Sequence, residues 1–78
     1  MEPFIVDIEP GESKKMFKSS HEGEEFIFVM EGAITVAYGT DIFELHKGDS
    51  IYLDSIVEHL VTTPGPKARI LGVIYVPV

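Results

Sequence analysis

At 78 residues with no cysteine, the chain sits near the lower limit for an unaided core and excludes disulfides and a thiolate zinc site, leaving a metal or a partner subunit as the available stabilisers. Thirteen acidic residues against six basic ones give a net charge of −7, which repels phosphate backbones; with no Lys/Arg-rich run, direct nucleic-acid binding is not expected. Hydrophobic residues at 45% and charged residues at 24% exclude a disordered polar chain, and no apolar run reaches membrane-spanning length.

Met1-Glu2-Pro3-Phe4 lacks the positive region and long apolar stretch of a secretory signal, so a cytoplasmic location with no membrane partner is the expectation. From there, β-branched and aromatic runs alternate with Gly, Pro, Asp and Ser punctuation. They predict strands near Phe4–Glu9, Glu24–Met30, Ala33–Tyr38, Ile42–Leu45, Ser50–Leu53, Glu58–Thr63 and Arg69–Val76. Turns are expected at Pro10-Gly11, Glu31-Gly32, Gly39-Thr40-Asp41, Lys47-Gly48-Asp49, Asp54-Ser55 and Pro64-Gly65-Pro66. No stretch sustains a helical period, nothing repeats and no linker divides the chain. One all-β domain over residues 1–78, an antiparallel sandwich or barrel, follows. Ile27, Val29, Ile34, Val36, Leu53 and Val61 are its expected inward residues.

Two strands carry more than a fold signal. Phe26-Ile27-Phe28-Val29-Met30 and Ile70-Leu71-Gly72-Val73-Ile74-Tyr75-Val76 are apolar on both alternating faces, whereas lining a small barrel needs only one. A second copy of the chain is the natural cover for the other face, so a homodimer is expected.

The chemistry gathers in His21-Glu22-Gly23-Glu24-Glu25 and in Glu58-His59. His21 and Glu25 are four apart, so on an extended strand they look to the same side. His59 comes thirty-four residues after Glu25 and joins them only if the sheet folds back. Two imidazoles and one carboxylate suit a divalent transition metal such as Fe, Mn, Ni or Zn. The alternative is a hydrogen-bonded polar cluster in the barrel mouth, with Glu25 accepting from a histidine. Glu22 and Glu24 read as a solvated acidic rim, His46 as a surface residue, and Tyr38, Tyr52 and Tyr75 as core or dimer-contact aromatics.

This arrangement resembles the cupin superfamily, small jelly-roll barrels with two motifs. Glu25, six residues and Gly32 match the end of the first motif, and His21 stands where the second histidine of its pair belongs. Gly48, five residues, Asp54-Ser55-Ile56, two residues and His59 match the frame of the second. Ser13 replaces the opening glycine, Ser19 the first metal histidine, Asp54 the proline, Ile56 the glycine and Thr63 the asparagine. The resemblance implies that His21, Glu25 and His59 remain of the usual four ligands, with positions open for water or substrate.

A closer resemblance is to the C-terminal sensor half of helix-turn-helix/cupin regulators, carried by the run from His21 to Phe26, by Gly48-Asp49-Ser50-Ile51-Tyr52 and by Glu2-Pro3-Phe4-Ile5-Val6. It implies a small-molecule-binding module; the 78 residues are too few to include a DNA-binding half, so either a stand-alone relative of the sensor domain or a piece of a longer protein is expected. The second reading is a metal-dependent enzyme (a dioxygenase, isomerase or lyase), against which Ser19 counts. A purely structural dimerisation domain would leave the motif polar residues without a purpose. Triad hydrolysis and glycine-rich phosphate binding are not expected, because neither a nucleophile elbow nor a phosphate loop is present.

Overall fold

The computed structural model of the chain describes residues 2–11, 13–15, 23–54 and 59–75. Among them are eight strands: β1 (Glu2–Ile8), β2 (Ser13–Lys15), β3 (Glu24–Glu31), β4 (Ala33–Tyr38), β5 (Asp41–His46), β6 (Ser50–Asp54), β7 (His59–Thr62) and β8 (Ala68–Tyr75). They form two four-stranded sheets, ordered β1-β8-β3-β6 and β2-β7-β4-β5. β1 pairs with β8, β2 with β7, β3 with β6 and β4 with β5, all antiparallel. The chain is thus one long ribbon doubled back at the Gly39-Thr40 turn, and successive pairs fall alternately into the two sheets. That is jelly-roll order: the strand pattern predicts a sandwich or barrel, and the cupin resemblance implies the jelly roll.

The differences from the sequence reading are local. Ser13–Lys15 is a strand although Ser-Lys-Lys carries no β-propensity signal; its ladder to Leu60–Thr62 of β7 is made by backbone groups. Asp41 and His46 extend β5 because Tyr38 and Ala33 stand opposite them. Glu58, expected to open the sixth of the predicted strands (observed as β7), lies outside the described residues.

Period-2 alternation builds the core. In β3 Glu25, Ile27 and Val29 are buried while Phe26, Phe28 and Met30 are only half-buried. Ile34 and Val36 of β4, Leu53 of β6, Val61 of β7 and Ile70 of β8 face the same interior, and all six expected inward residues are buried. The outer face of the first sheet stays apolar: Phe26 lies opposite Tyr52 and Val73, Phe28 opposite Leu71, and Ile5 is 60% exposed.

Two glycines are fixed by geometry. Gly32, between β3 and β4, has φ +77°, and a Cβ there would meet the Lys67 carbonyl oxygen at 3.0 Å; both facts demand glycine. Gly72, buried in β8, lies under the Phe4 ring, which occupies the space a Cβ would take. The missing side chain is replaced by an aromatic ring from the neighbouring strand. Gly72→Ala should therefore destabilise the protein by about 1–3 kcal/mol in chemical denaturation, and adding Phe4→Leu should recover part of the loss.

On the outside of the β1–β8 pair, Arg69 donates to Asp7 through Nε at 2.8 Å and Nη2 at 3.4 Å, with Lys67 Nζ 3.9 Å from Asp7. The Arg69 guanidinium holds the Asp7 carboxyl below its ordinary range. A carboxylate whose pKa is lowered on folding stabilises above its unfolded pKa, and that contribution disappears as pH falls through the folded value. Asp7→Asn should lower the thermal midpoint slightly at neutral pH, and its difference from the parent should vanish once the pH is below the aspartate range.

Candidate ligand and metal site

β3 begins at Glu24, so alternation turns Glu25 inward, where it is 1% exposed and flanked across the ladders by Leu53 and Ile74. From the opposite sheet β7 begins with His59, 2% exposed, with Tyr38 as its ladder partner. The two side chains meet across the sandwich. His59 Nε2 lies 2.8 Å from Glu25 Oε1, the ring N–H donating to the carboxylate. Glu25 Oε2 is buried and has no hydrogen-bond partner among the described residues.

Tyr38 completes the arrangement. Its ring centroid is 6.1 Å from that of His59, tilted by 44°, and its hydroxyl accepts the Asp54 backbone N–H at 3.2 Å. Tyr38 therefore ties the second sheet to the end of β6 in the first. Asp54 stands where the cupin motif has proline, and a proline nitrogen has no proton to donate here. Sequence reading assigned Tyr38 to core or dimer contacts; its place beside His59 is set by the β4–β7 register, which no local signal encodes.

The other candidates fall elsewhere or outside. His21, Ser19, Glu22 and Glu58 lie outside the described residues, so the described part of the expected three-residue set is Glu25 and His59. Glu24 is exposed, as expected of a rim residue, and accepts from Tyr52 Oη at 2.7 Å; that bond pushes the Tyr52 hydroxyl pKa up. His46, the last residue of β5, is exposed, its backbone N–H bonded to Asp49 Oδ2 at 2.8 Å. Thr63, in the place of the motif asparagine, is 8% exposed, and its hydroxyl lies 2.8 Å from the Ala33 carbonyl and 2.9 Å from that of Pro66. It pins the 63–66 turn to the start of β4.

Carboxylate and imidazole are donor types that a divalent transition metal accepts, and Oε2 is a lone acceptor suited to one. In number the described residues fall short: none of their His, Cys, Asp and Glu side chains form a group of three or more that could hold a metal ion. The Nε2–Oε1 hydrogen bond also occupies a ring position that a metal would need. The described pair alone supplies a buried hydrogen-bond acceptor beside an imidazole. A metal would need at least one further ligand, and the expected one, His21, lies outside the described residues.

The comparisons with known proteins agree with the architecture. The crystal structure of the cupin domain of an XRE family transcriptional regulator from Enterobacter cloacae superposes with a TM-score of 0.90 at 13% identity, over 97% of this chain and 81% of that one. An HTH_3 family transcriptional regulator from Vibrio cholerae gives 0.88 at 21% identity, over 97% of this chain and 43% of that one. FeII HppE in complex with substrate gives 0.75 at 28% identity, over 94% of this chain and 44% of that one. The chain thus spans less than half of the last two. No curated protein matches it in sequence. The family model described as Cupin domain matches residues 4–75, nearly the entire length, and the chain belongs to the cupin domain family.

Proposed function

We propose that this cupin domain is a small-molecule-binding module, cytoplasmic and resembling the sensing domain of cupin-type regulators, with Glu25 and His59 as its polar anchor and His21 as a third member. The observation that carries this reading is the buried, unpartnered Oε2 of Glu25. A buried charge-bearing group that lacks a partner is costly, and a structure tolerates it where something else completes it. Apolar walls around a few convergent polar groups are the usual composition of a ligand pocket. The regulator cupin domain from Enterobacter cloacae supports the sensing role by likeness of fold.

The second reading is a metal-dependent enzyme, a dioxygenase, isomerase or lyase. It is favoured by the FeII protein among the structural neighbours and by the carboxylate–imidazole donor pair. Here Glu25, His59 and His21 would hold iron, manganese, nickel or zinc, which would supply Lewis-acid or redox chemistry. Glu25 would then give up its hydrogen bond from His59.

The homodimer is part of the same proposal. Phe26, Phe28, Leu71 and Val73 form an outward apolar strip on the first sheet with Tyr52, 65% exposed, beside it. A second copy would remove this strip from water.

Elemental analysis of protein purified without a histidine tag separates the two readings. Metal-free protein whose thermal midpoint rises with particular small molecules is the expected result; near-stoichiometric transition metal that disappears in Glu25→Ala and His59→Ala would establish the enzyme reading instead. The cost of the anchor should be visible in stability. His59→Ala, which leaves Glu25 Oε1 as well as Oε2 without a described partner, should destabilise by about 3–5 kcal/mol, whereas Glu25→Leu combined with His59→Leu should restore most of that. Sedimentation should give the mass of two chains at micromolar concentration and that of one chain for Val73→Glu; a single-chain mass for the parent would remove the dimer.

A further inference from the structure

On the outer face of the first sheet, away from the Glu25–His59 pair, an open pocket of about 470 Å³ is lined by Glu24 and Phe26 of β3, Tyr52 of β6, and Val73 and Tyr75 of β8. Alternation puts all five on this face: Phe26 lies between Tyr52 and Val73 in the ladders, and Glu24 lies between Asp54 and Tyr75. Two tyrosines therefore stand on the strands to either side of β3. The Phe26 and Tyr52 rings meet at 76° with centroids 6.3 Å apart, and the Tyr52 hydroxyl donates to Glu24 Oε1 at 2.7 Å. That bond fixes the carboxylate and the ring against each other. Three aromatic side chains and one carboxylate thus share a single depression, with Tyr52 65% and Tyr75 45% exposed.

This lining selects for positive charge without hydrogen-bond donors. Ring faces attract cations, Glu24 adds a full negative charge, and neither Lys nor Arg lines the pocket. With a net charge of −7 on the chain, an anion is repelled. A primary ammonium brings three N–H donors, yet the side-chain acceptors here are one carboxylate, already bonded to Tyr52, and two phenol oxygens; part of its hydration would be lost without replacement. A methylated ammonium has no such donors, and its methyl groups carry the charge onto the rings. We propose that this pocket binds a small molecule bearing a quaternary ammonium group, with Tyr52, Tyr75 and Phe26 around the cation and Glu24 balancing its charge. The site is separate from the interior anchor and does not depend on it. Phe26 and Val73 also belong to the strip assigned above to a second copy, so cation and second copy compete for one surface; that consequence alone rests on the dimer.

The test is isothermal titration of the full chain with choline, its neutral isostere 3,3-dimethylbutan-1-ol and its unmethylated counterpart ethanolamine, followed by sedimentation with and without choline. Choline should bind about fivefold or more tighter than either comparator. Tyr75→Ala, at an exposed side chain, should keep the fold and weaken choline by about fivefold; Glu24→Gln should weaken choline and leave the isostere unchanged. Saturating choline should shift the parent towards the mass of one chain. Leu71→Glu, in the strip but outside the pocket, should have that mass already and bind choline at least as tightly as the parent. Equal binding of choline and the isostere overturns the cation site, and ethanolamine binding as tightly as choline overturns its quaternary character. Choline binding unaffected by Tyr75→Ala overturns this pocket. A peptide carrying trimethyllysine that binds about tenfold tighter than choline overturns the small-molecule assignment in favour of a protein tail. A two-chain mass unchanged by bound choline overturns the competition, whereas a parent of one chain that binds choline overturns the dimer and supports the cation site.

Discussion

A single hydrogen bond between opposite sheets organises this molecule. Glu25 comes from the start of β3 and His59 from the start of β7, and at 1% and 2% exposure both are buried as the apolar core is. Two such groups cannot be removed from water without compensation, and Nε2 to Oε1 at 2.8 Å supplies half of it. Everything nearby serves to hold that geometry. Leu53 and Ile74 flank Glu25, Tyr38 leans on His59, and the Tyr38–Asp54 bond closes one sheet on the other. The remaining half, Oε2, is where the domain is chemically incomplete.

The jelly-roll order also shapes the seam between the sheets. Because β1 pairs with β8 and β4 with β5, the two sheets share an interior but have separate edges, and among the described residues no ladder joins β5 to β6. Tyr38 and Phe43 are large enough to line that seam without filling it. The opposite problem arises on the outside of the first sheet, where apolar residues continue onto the face that the core does not use. Small size is the common cause: a chain of 78 residues has too little mass to cover both faces of its most hydrophobic strands.

The departures from the cupin motifs acquire physical meaning in the coordinates. Asp54, in place of proline, contributes the N–H that reaches Tyr38. Thr63, in place of asparagine, shares its one hydroxyl proton between the Ala33 and Pro66 carbonyls and fastens the turn before β8 to β4. Gly32, retained, is required both by its positive φ and by the approach of the Lys67 carbonyl. Motif positions in this chain thus divide into those that hold the turns and those, Glu25 and His59, that meet in the buried interior.

The sequence by itself determined the all-β class, the turns around Gly11, Gly32, Gly39, Gly48 and Gly65, and the alternation that buries Ile27, Val29, Ile34, Val36, Leu53 and Val61, because periodicity and punctuation are local properties of the chain; the nearness of Glu25 to His59 was legible only through the resemblance to the cupin motifs. It missed β2, whose Ser-Lys-Lys has no propensity of its own and is a strand only through backbone bonds to β7. It also passed over Tyr38, since nothing within the run Ala33–Tyr38 shows that the register sets it opposite His59. Tertiary structure alone decided which carboxyl oxygen is left without a partner and where the sheets part, because both depend on how strands distant in sequence align across two sheets.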